Sequence, residues 1–260
     1  MESAGDSNRI VRNMRRVAAF LGLDNDNLHI DILYGTVKVS YCDESHSFSR
    51  FAHSDKYTIN MKVLADVSQL SWKAIREDES IKSFERKLDD PTLVKPDYPV
   101  WMVILGAAMG SGGFSVLFGG DWPSFIPAAI SGFVGFSVRY FLLSNRFNFY
   151  MVTALTAFLA TLTAWLMFLI LPEGFTQCPY HSFLCCALFL VPGVALINFL
   201  DDMLDNYLLV GLARLGNAAL LIASMTFGIV LAVSVCGVTS FLGNLRMQPI
   251  ISSWEAAVVA

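Results

Sequence analysis

The sequence predicts a membrane all-α bundle of five transmembrane helices, preceded by a small cytoplasmic α+β domain. Three observations predict it. Hydrophobic residues make up 55% of the 260 residues and charged residues 15%, against about 25% charged in an average soluble domain. The charge is also segregated: residues 1–97 hold 14 of the 18 Lys+Arg and 16 of the 22 Asp+Glu. Finally, the stretch from Pro99 to Val235 breaks into five apolar runs: Val100–Phe118, Phe125–Leu143, Phe147–Leu171, Ser182–Leu200 and Leu208–Val235. Each approaches or exceeds the roughly 20 residues with which a helix crosses a bilayer core of about 30 Å. None shows a polar face at a 3.6-residue period, as a soluble core helix would. The expected organisation is therefore a cytoplasmic domain and linker over 1–97, a transmembrane domain over 98–236 and a tail over 237–260.

The first element is an amphipathic helix over Asn8–Leu21. Ile10, Val11, Met14, Val17, Ala18 and Leu21 share one face, and Arg9, Arg12, Arg15 and Arg16 crowd the other. Gly22 ends it. The basic face reads as an ordinary solvated surface, with binding to anionic lipid as the alternative. Alternation follows: Ile30 and Ile32, then Val37, Val39 and Tyr41, flank Gly35-Thr36 as a hairpin, and Ser47–Phe51 adds a strand. A helical period returns at Asn60–Ile75 and again at Glu79–Leu88. Asp90-Pro91 opens a linker whose prolines, through Pro99, discourage helix.

Within the spans, small residues recur four apart: Gly106 and Gly110, Ala128 and Gly132, Ser131 and Gly135, then Ser224, Gly228 and Ala232. Lipid is as apolar as leucine, so membrane helices associate where small residues let their backbones approach. These stripes suit internal packing or contact with another subunit. Five spans with no internal repeat suggest an incomplete transporter, because many transporters place their site between two repeats.

Orientation follows from basic residues in short loops. Arg139 and Arg146 are read as the loop between spans two and three, and the loop between spans four and five leads to Arg214. Gly119–Ser124 and Pro172–His181 hold no Lys or Arg. The N-terminal region is thus expected in the cytoplasm and the tail outside. Met1–Asn8 is polar, so no signal peptide is expected. Cys178 and Cys236 then share the outer face, which leaves a disulfide between them open. The five cysteines show neither CxxC spacing nor a histidine partner pattern, so no metal is expected. The balanced charge of residues 1–97 offers no field for nucleic acid. No phosphate-binding loop, nucleophile–base set or cofactor constellation is present, which argues against an enzyme and against ATP-driven transport.

The unusual segment is Leu190-Val-Pro-Gly-Val-Ala-Leu-Ile-Asn-Phe-Leu-Asp-Asp-Met-Leu-Asp205. Pro192 removes a backbone donor in the middle of span four and Gly193 adds freedom beside it. Such a break frees backbone groups to coordinate a substrate near the membrane midplane; a simple kink is the alternative. Asn198, Asp201 and Asp202 follow, then Asp205, Arg214 and Asn217. Carboxylates in a span are costly, so they face a cavity or a partner. Arg214 would pair with an aspartate or hold a substrate carboxylate through its planar fork. Asp201 or Asp202 would titrate and couple movement to protons, unless these aspartates, Asp205 above all, form a wet turn.

Several of these elements in order resemble the threonine/serine exporter (ThrE) family, in its shorter YjjP-type half. The resemblance runs from Glu2-Ser-Ala-Gly-Asp-Ser-Asn-Arg9-Ile10 through Ala18-Ala-Phe-Leu-Gly22 and Val67-Ser-Gln-Leu-Ser71. It continues through Leu117-Phe-Gly-Gly120 to Leu190-Val-Pro-Gly-Val-Ala-Leu196 and Gly211-Leu-Ala-Arg214. One departure is the order Ser-Ala-Gly-Asp where the family's motif reads Ser-Gly-Ala. The resemblance implies a bacterial inner-membrane exporter of threonine and serine or of a dicarboxylate such as succinate. It also implies a small membrane subunit as partner, supplying the remaining spans, and no cofactor. The family's motifs fall on Arg9, Pro192, Gly193, Gly211 and Arg214. The alternative is a membrane-tethered regulatory or sensor subunit whose cytoplasmic domain binds a ligand.

Overall fold

The computed structural model describes residues 5–44, 47–54, 60–77, 80–93, 95, 98–172, 174–176 and 179–237. The chain divides into two compact units. Met1–Asp97 joins with Gly193–Ala218 in the first, and Tyr98–Pro192 joins with the chain from Ala219 in the second.

The first unit begins with α1 (Ser7–Phe20). The Asp6 side chain caps it, accepting the Arg9 N–H at 2.9 Å. It ends in a Schellman turn, with Leu23 N–H on the Ala18 carbonyl and Gly22 at φ +76°. Three antiparallel strands follow in the order β1 (Leu28–Leu33), β2 (Thr36–Cys42) and β3 (Ser47–His53). Leu33 pairs with Thr36 around a two-residue turn, Tyr34-Gly35, so Ile32 faces Val37 in register. Leu28, Ile32 and Val37 are buried, whereas β3 is exposed along its length. α2 (Met61–Arg76) is capped by Asn60 and α3 (Ile81–Leu88) by Ser80. Val11, Ile32 and Val37 form one apolar cluster with Val210, to which Ile10, Met14, Ile30, Val39 and Tyr207 add. The hairpin, the third strand and all three helices of residues 1–97 thus stand close to their sequence-expected bounds.

The second unit is helical: α4 (Val100–Leu117), α5 (Phe125–Ser144), α6 (Phe149–Ile170), α7 (Pro179–Cys185) and the later part of α9 (Leu208–Val235). Small residues make the contacts. A Cβ added to Gly132 would overlap Ser111, and one added to Gly228 would overlap the Ala154 carbonyl oxygen. The core cluster is built around Ala157, Ala160, Ala164, Cys186 and Ala187, with Phe183, Leu190 and Ile229. Buried hydroxyls fill the seams: Ser115 and Ser124 meet at 2.9 Å, and Ser131 donates to the Pro127 carbonyl at 2.6 Å. Of the four small-residue stripes, Gly106 and Gly110 have no atom within 4 Å of an added Cβ.

Among the described residues, four helices are long and apolar enough to cross a membrane. A fifth crossing exists only if His181–Leu190 and Gly193–Leu204 count as one broken span. The expected continuous run Ser182–Leu200 is therefore a short helix, a 3-10 turn at Leu188–Leu190 and then α8 (Gly193–Leu204). The cause is local. Pro192 has no N–H to give, and it drives Val191 to extended backbone (φ −61°, ψ 126°). Arg139 also differs from expectation: it lies in α5, not in the loop. It donates to Thr153 Oγ1 at 3.3 Å and its guanidinium carbon stands 5.0 Å from the Phe149 ring centroid. Only Arg146 occupies that loop. Cys178, and with it any pairing to Cys236, lies outside the described residues.

Candidate functional site

The first unit holds a buried ion pair built by the α8–α9 hairpin. Ala195, Asn198 and Asp202 fall on one face of α8, and that polar face is the buried one. The apolar residues look outward: Ile197, Leu200, Leu204, Leu209 and Leu212 are each more than half exposed. A water-soluble hairpin would arrange these faces the other way round.

α8 ends in a second Schellman turn. Tyr207 N–H donates to the Asp202 carbonyl at 2.8 Å and Asn206 N–H to Met203 at 3.4 Å. Asn206 takes the left-handed conformation this cap requires, φ +65°, one that asparagine tolerates better than most residues. The chain reverses at once into α9. Gly211 lets the two helices close up, since a Cβ there would lie 3.1 Å from Met203 Sδ and 3.3 Å from the Phe199 carbonyl oxygen. Arg214, one turn further on, thereby returns to Asp202, with Nε 3.0 Å from Oδ2. Their side chains are 7% and 1% exposed.

Two backbone groups of the N-terminal segment complete the cluster. Ser7 N–H, at the start of α1, donates to Asp202 Oδ1 at 2.9 Å, and Arg214 Nη2 donates to the Gly5 carbonyl at 2.8 Å. The carboxylate thus sits at a helix N-terminus, where the unpaired N–H groups and the dipole favour negative charge. Gly5 is pressed on α2: an added Cβ would lie 2.8 Å from Leu64 Cδ2. Arg214 Nη1 is buried without a hydrogen-bond partner among the described residues, and so is the Ser7 hydroxyl.

The sequence-selected residues divide cleanly. Asp202 and Arg214 meet, Asn198 is buried one turn before Asp202, and Asn217 donates to Tyr34 Oη at 2.8 Å. Asp201 and Asp205 are exposed. Pro192 and Gly193 mark the helix break. Arg9 is half exposed and pairs with Asp6 at 3.2 Å. Gly5 and Ser7 were not singled out, because they act through backbone groups that any residue carries.

Comparison with known proteins places this geometry in a family. The ThrE family model, threonine/serine exporter, matches residues 1–236. "Probable succinate transporter subunit YjjP" of Klebsiella aerogenes is 29% identical over 226 residues, covering 85% of this chain and 84% of that protein. The Escherichia coli K12 protein of the same name is 28% identical, over 87% and 86%. "Probable threonine/serine exporter" of Mycobacterium tuberculosis is 29% identical over 68% of this chain but 32% of its own, longer length. No solved structure matches significantly. Members of this family are transporters, not enzymes, and the apolar helices agree with a multi-pass membrane protein. The residues on both sides of the ion-pair cluster, 5–9 and 211–214, lie inside the matched region, and the chain belongs to the threonine/serine exporter family.

Proposed function

We propose that this chain is one subunit of a secondary transporter that exports small amino acids of the threonine/serine kind, or small organic acids of the succinate kind. It would work in the bacterial inner membrane with a small membrane partner subunit. Residues 1–97 would form the cytoplasmic domain, 98–236 the membrane domain and 237–260 an outward tail. The word "subunit" in two relatives' names supports the partner. The observation that carries the reading is the Asp202–Arg214 pair, buried beneath a hairpin whose outward surface is apolar. A buried charge pair is costly to keep, and in a membrane protein it marks a path for substrate or proton.

The chemistry is a competition for one guanidinium. Arg214 has a buried donor, Nη1, free of protein partners among the described residues. A substrate carboxylate arriving there would make a paired, planar contact. Two carboxylates on one arginine leave excess negative charge, so a substrate carboxylate would displace Asp202 from Arg214. Asp202, released from the guanidinium, is then the residue that would couple transport to an ion gradient. Asp201, being exposed, is the weaker coupling residue of the two. The break at Pro192-Gly193 frees the start of α8 from the preceding helix.

The test is efflux of labelled serine, threonine and succinate from cells lacking their own exporters. The cells carry this chain alone or with a small membrane partner subunit. Efflux that requires both proteins is the expected result. Absence of efflux from cells in which both are present in the membrane would overturn the exporter reading and favour a regulatory subunit.

A further inference from the structure

The basic face of α1 has a use that the ion-pair site does not absorb. Arg9, Arg12, Asn13 and Arg16 form one wall of a groove of about 380 Å³, and Ser68, Gln69 and Trp72 of α2 form the other, over Leu64 and Ala65. No carboxylate lines it among the described residues. Asp66, next to Ala65 on α2, is not among the lining residues, and Asp6 is paired with Arg9. Arg16 is held in place from two sides. Its Nη1 donates to Asn13 Oδ1 at 3.0 Å, and its guanidinium carbon lies 4.1 Å from the Trp72 ring centroid. Arg76 approaches the same ring at 5.6 Å. Arg12 has no ion-pair partner among the described residues, and Arg15, on the same helix, stays outside the groove.

We infer that this groove binds a small phosphate-bearing ligand. The immobilised guanidinium of Arg16 beside the unpaired one of Arg12, with amide and hydroxyl groups opposite, presents the forked donors that phosphate oxygens take. A solvated face would leave its arginines free to spread, whereas Arg16 is stacked and hydrogen-bonded before any ligand arrives. The apolar floor of Leu64 and Ala65 and the exposed edge of Trp72 leave room for a short organic body attached to the phosphate. The inference stands apart from the exporter reading, since it concerns residues 9–76 alone.

The experiment uses the full-length chain in phosphatidylcholine nanodiscs and follows tryptophan fluorescence as inorganic phosphate, pyrophosphate or glycerol phosphate is added. A saturable change is expected, weakened at least about tenfold by Arg12→Gln and by Arg16→Gln, each of which removes a charge-assisted contact. Arg15→Gln should leave it unaltered, and Trp72→Phe should remove the signal. A second set of nanodiscs containing phosphatidylglycerol identifies the source. If a lipid headgroup is the occupant, added phosphate compounds compete poorly there, and the two arginine variants restore the phosphatidylcholine spectrum. No saturable change in either lipid, or binding indifferent to Arg12→Gln and Arg16→Gln, would overturn the inference.

Discussion

Removing one partner of the Asp202–Arg214 pair should cost far more than removing both. With Asp202 1% and Arg214 7% exposed, Asp202→Leu strands a buried guanidinium, at about 3–5 kcal/mol. It also strips the acceptor from Ser7 N–H. Asp202→Asn keeps an oxygen at that position, so it should be milder by the worth of one neutral hydrogen bond, about 1 kcal/mol. Arg214→Met strands the carboxylate and releases the Gly5 carbonyl, again at about 3–5 kcal/mol. The double variant Asp202→Leu with Arg214→Met leaves no charge to strand, and should lie within about 2 kcal/mol of the wild type. The cycle is read by unfolding the purified full-length chain in detergent, with a coupling energy of about 4 kcal/mol or more expected from these costs. Amide exchange gives a second, local readout: the first turn of α1 should lose protection in each single variant, while α5 and α6 keep theirs. Single variants costing below about 1 kcal/mol, or a double variant as damaged as the two singles summed, would refute the reasoning.

Other consequences follow from the same geometry. Gly211→Val should push α8 from α9 against Met203 and the Phe199 carbonyl, destabilising by about 1–3 kcal/mol, visible as a lower melting temperature in detergent. Gly228→Leu meets backbone at the Ala154 carbonyl, which cannot step aside as a side chain can; folded protein recovered from membranes should fall sharply, whereas Gly106→Leu, with open space around it, should be recovered normally. Asp6→Ala removes the α1 cap and the Arg9 pair, and should cost about 0.5–2 kcal/mol, measured by the same unfolding assay. Asn206→Val forces a β-branched residue into left-handed backbone; it should shift the unfolding midpoint down, while Asn206→Gly should not.

Much of this was legible in the residues. Alternation at 30–41 placed the hairpin, the 3.6-residue period placed the three early helices, and Pro192 placed the helix break. Even the choice between Asp201 and Asp202 was available: Asp202 lies four residues after Asn198 and seven after Ala195, on one helical face, and Asp201 does not. What stayed hidden was long-range and made of backbone. Ser7 N–H and the Gly5 carbonyl reach Asp202 and Arg214 across 195 and 209 residues, and neither contact has a side-chain signature. Arg139 was misplaced because a charge near the end of an apolar run looks like a loop residue, until Thr153 and Phe149 supply it with partners inside the helix pair. Spacing alone could not say which small-residue stripe was used. Gly132 and Gly228 meet neighbours within the chain and Gly106 meets none, a difference set by where the other helices lie.

The most direct test of the central claim is flux through the assembled transporter with the ion pair altered. Labelled substrate efflux would be compared among wild type, Asp202→Asn and Arg214→Gln at equal amounts in the membrane, each with the partner subunit. The account predicts that both variants lose at least about tenfold in flux, the equivalent of 1.4 kcal/mol, and that Asp202→Asn also uncouples the flux that remains from the ion gradient. Wild-type flux from correctly inserted Arg214→Gln would contradict it, and would leave the buried pair as a clamp on the α1 N-terminus with no part in transport.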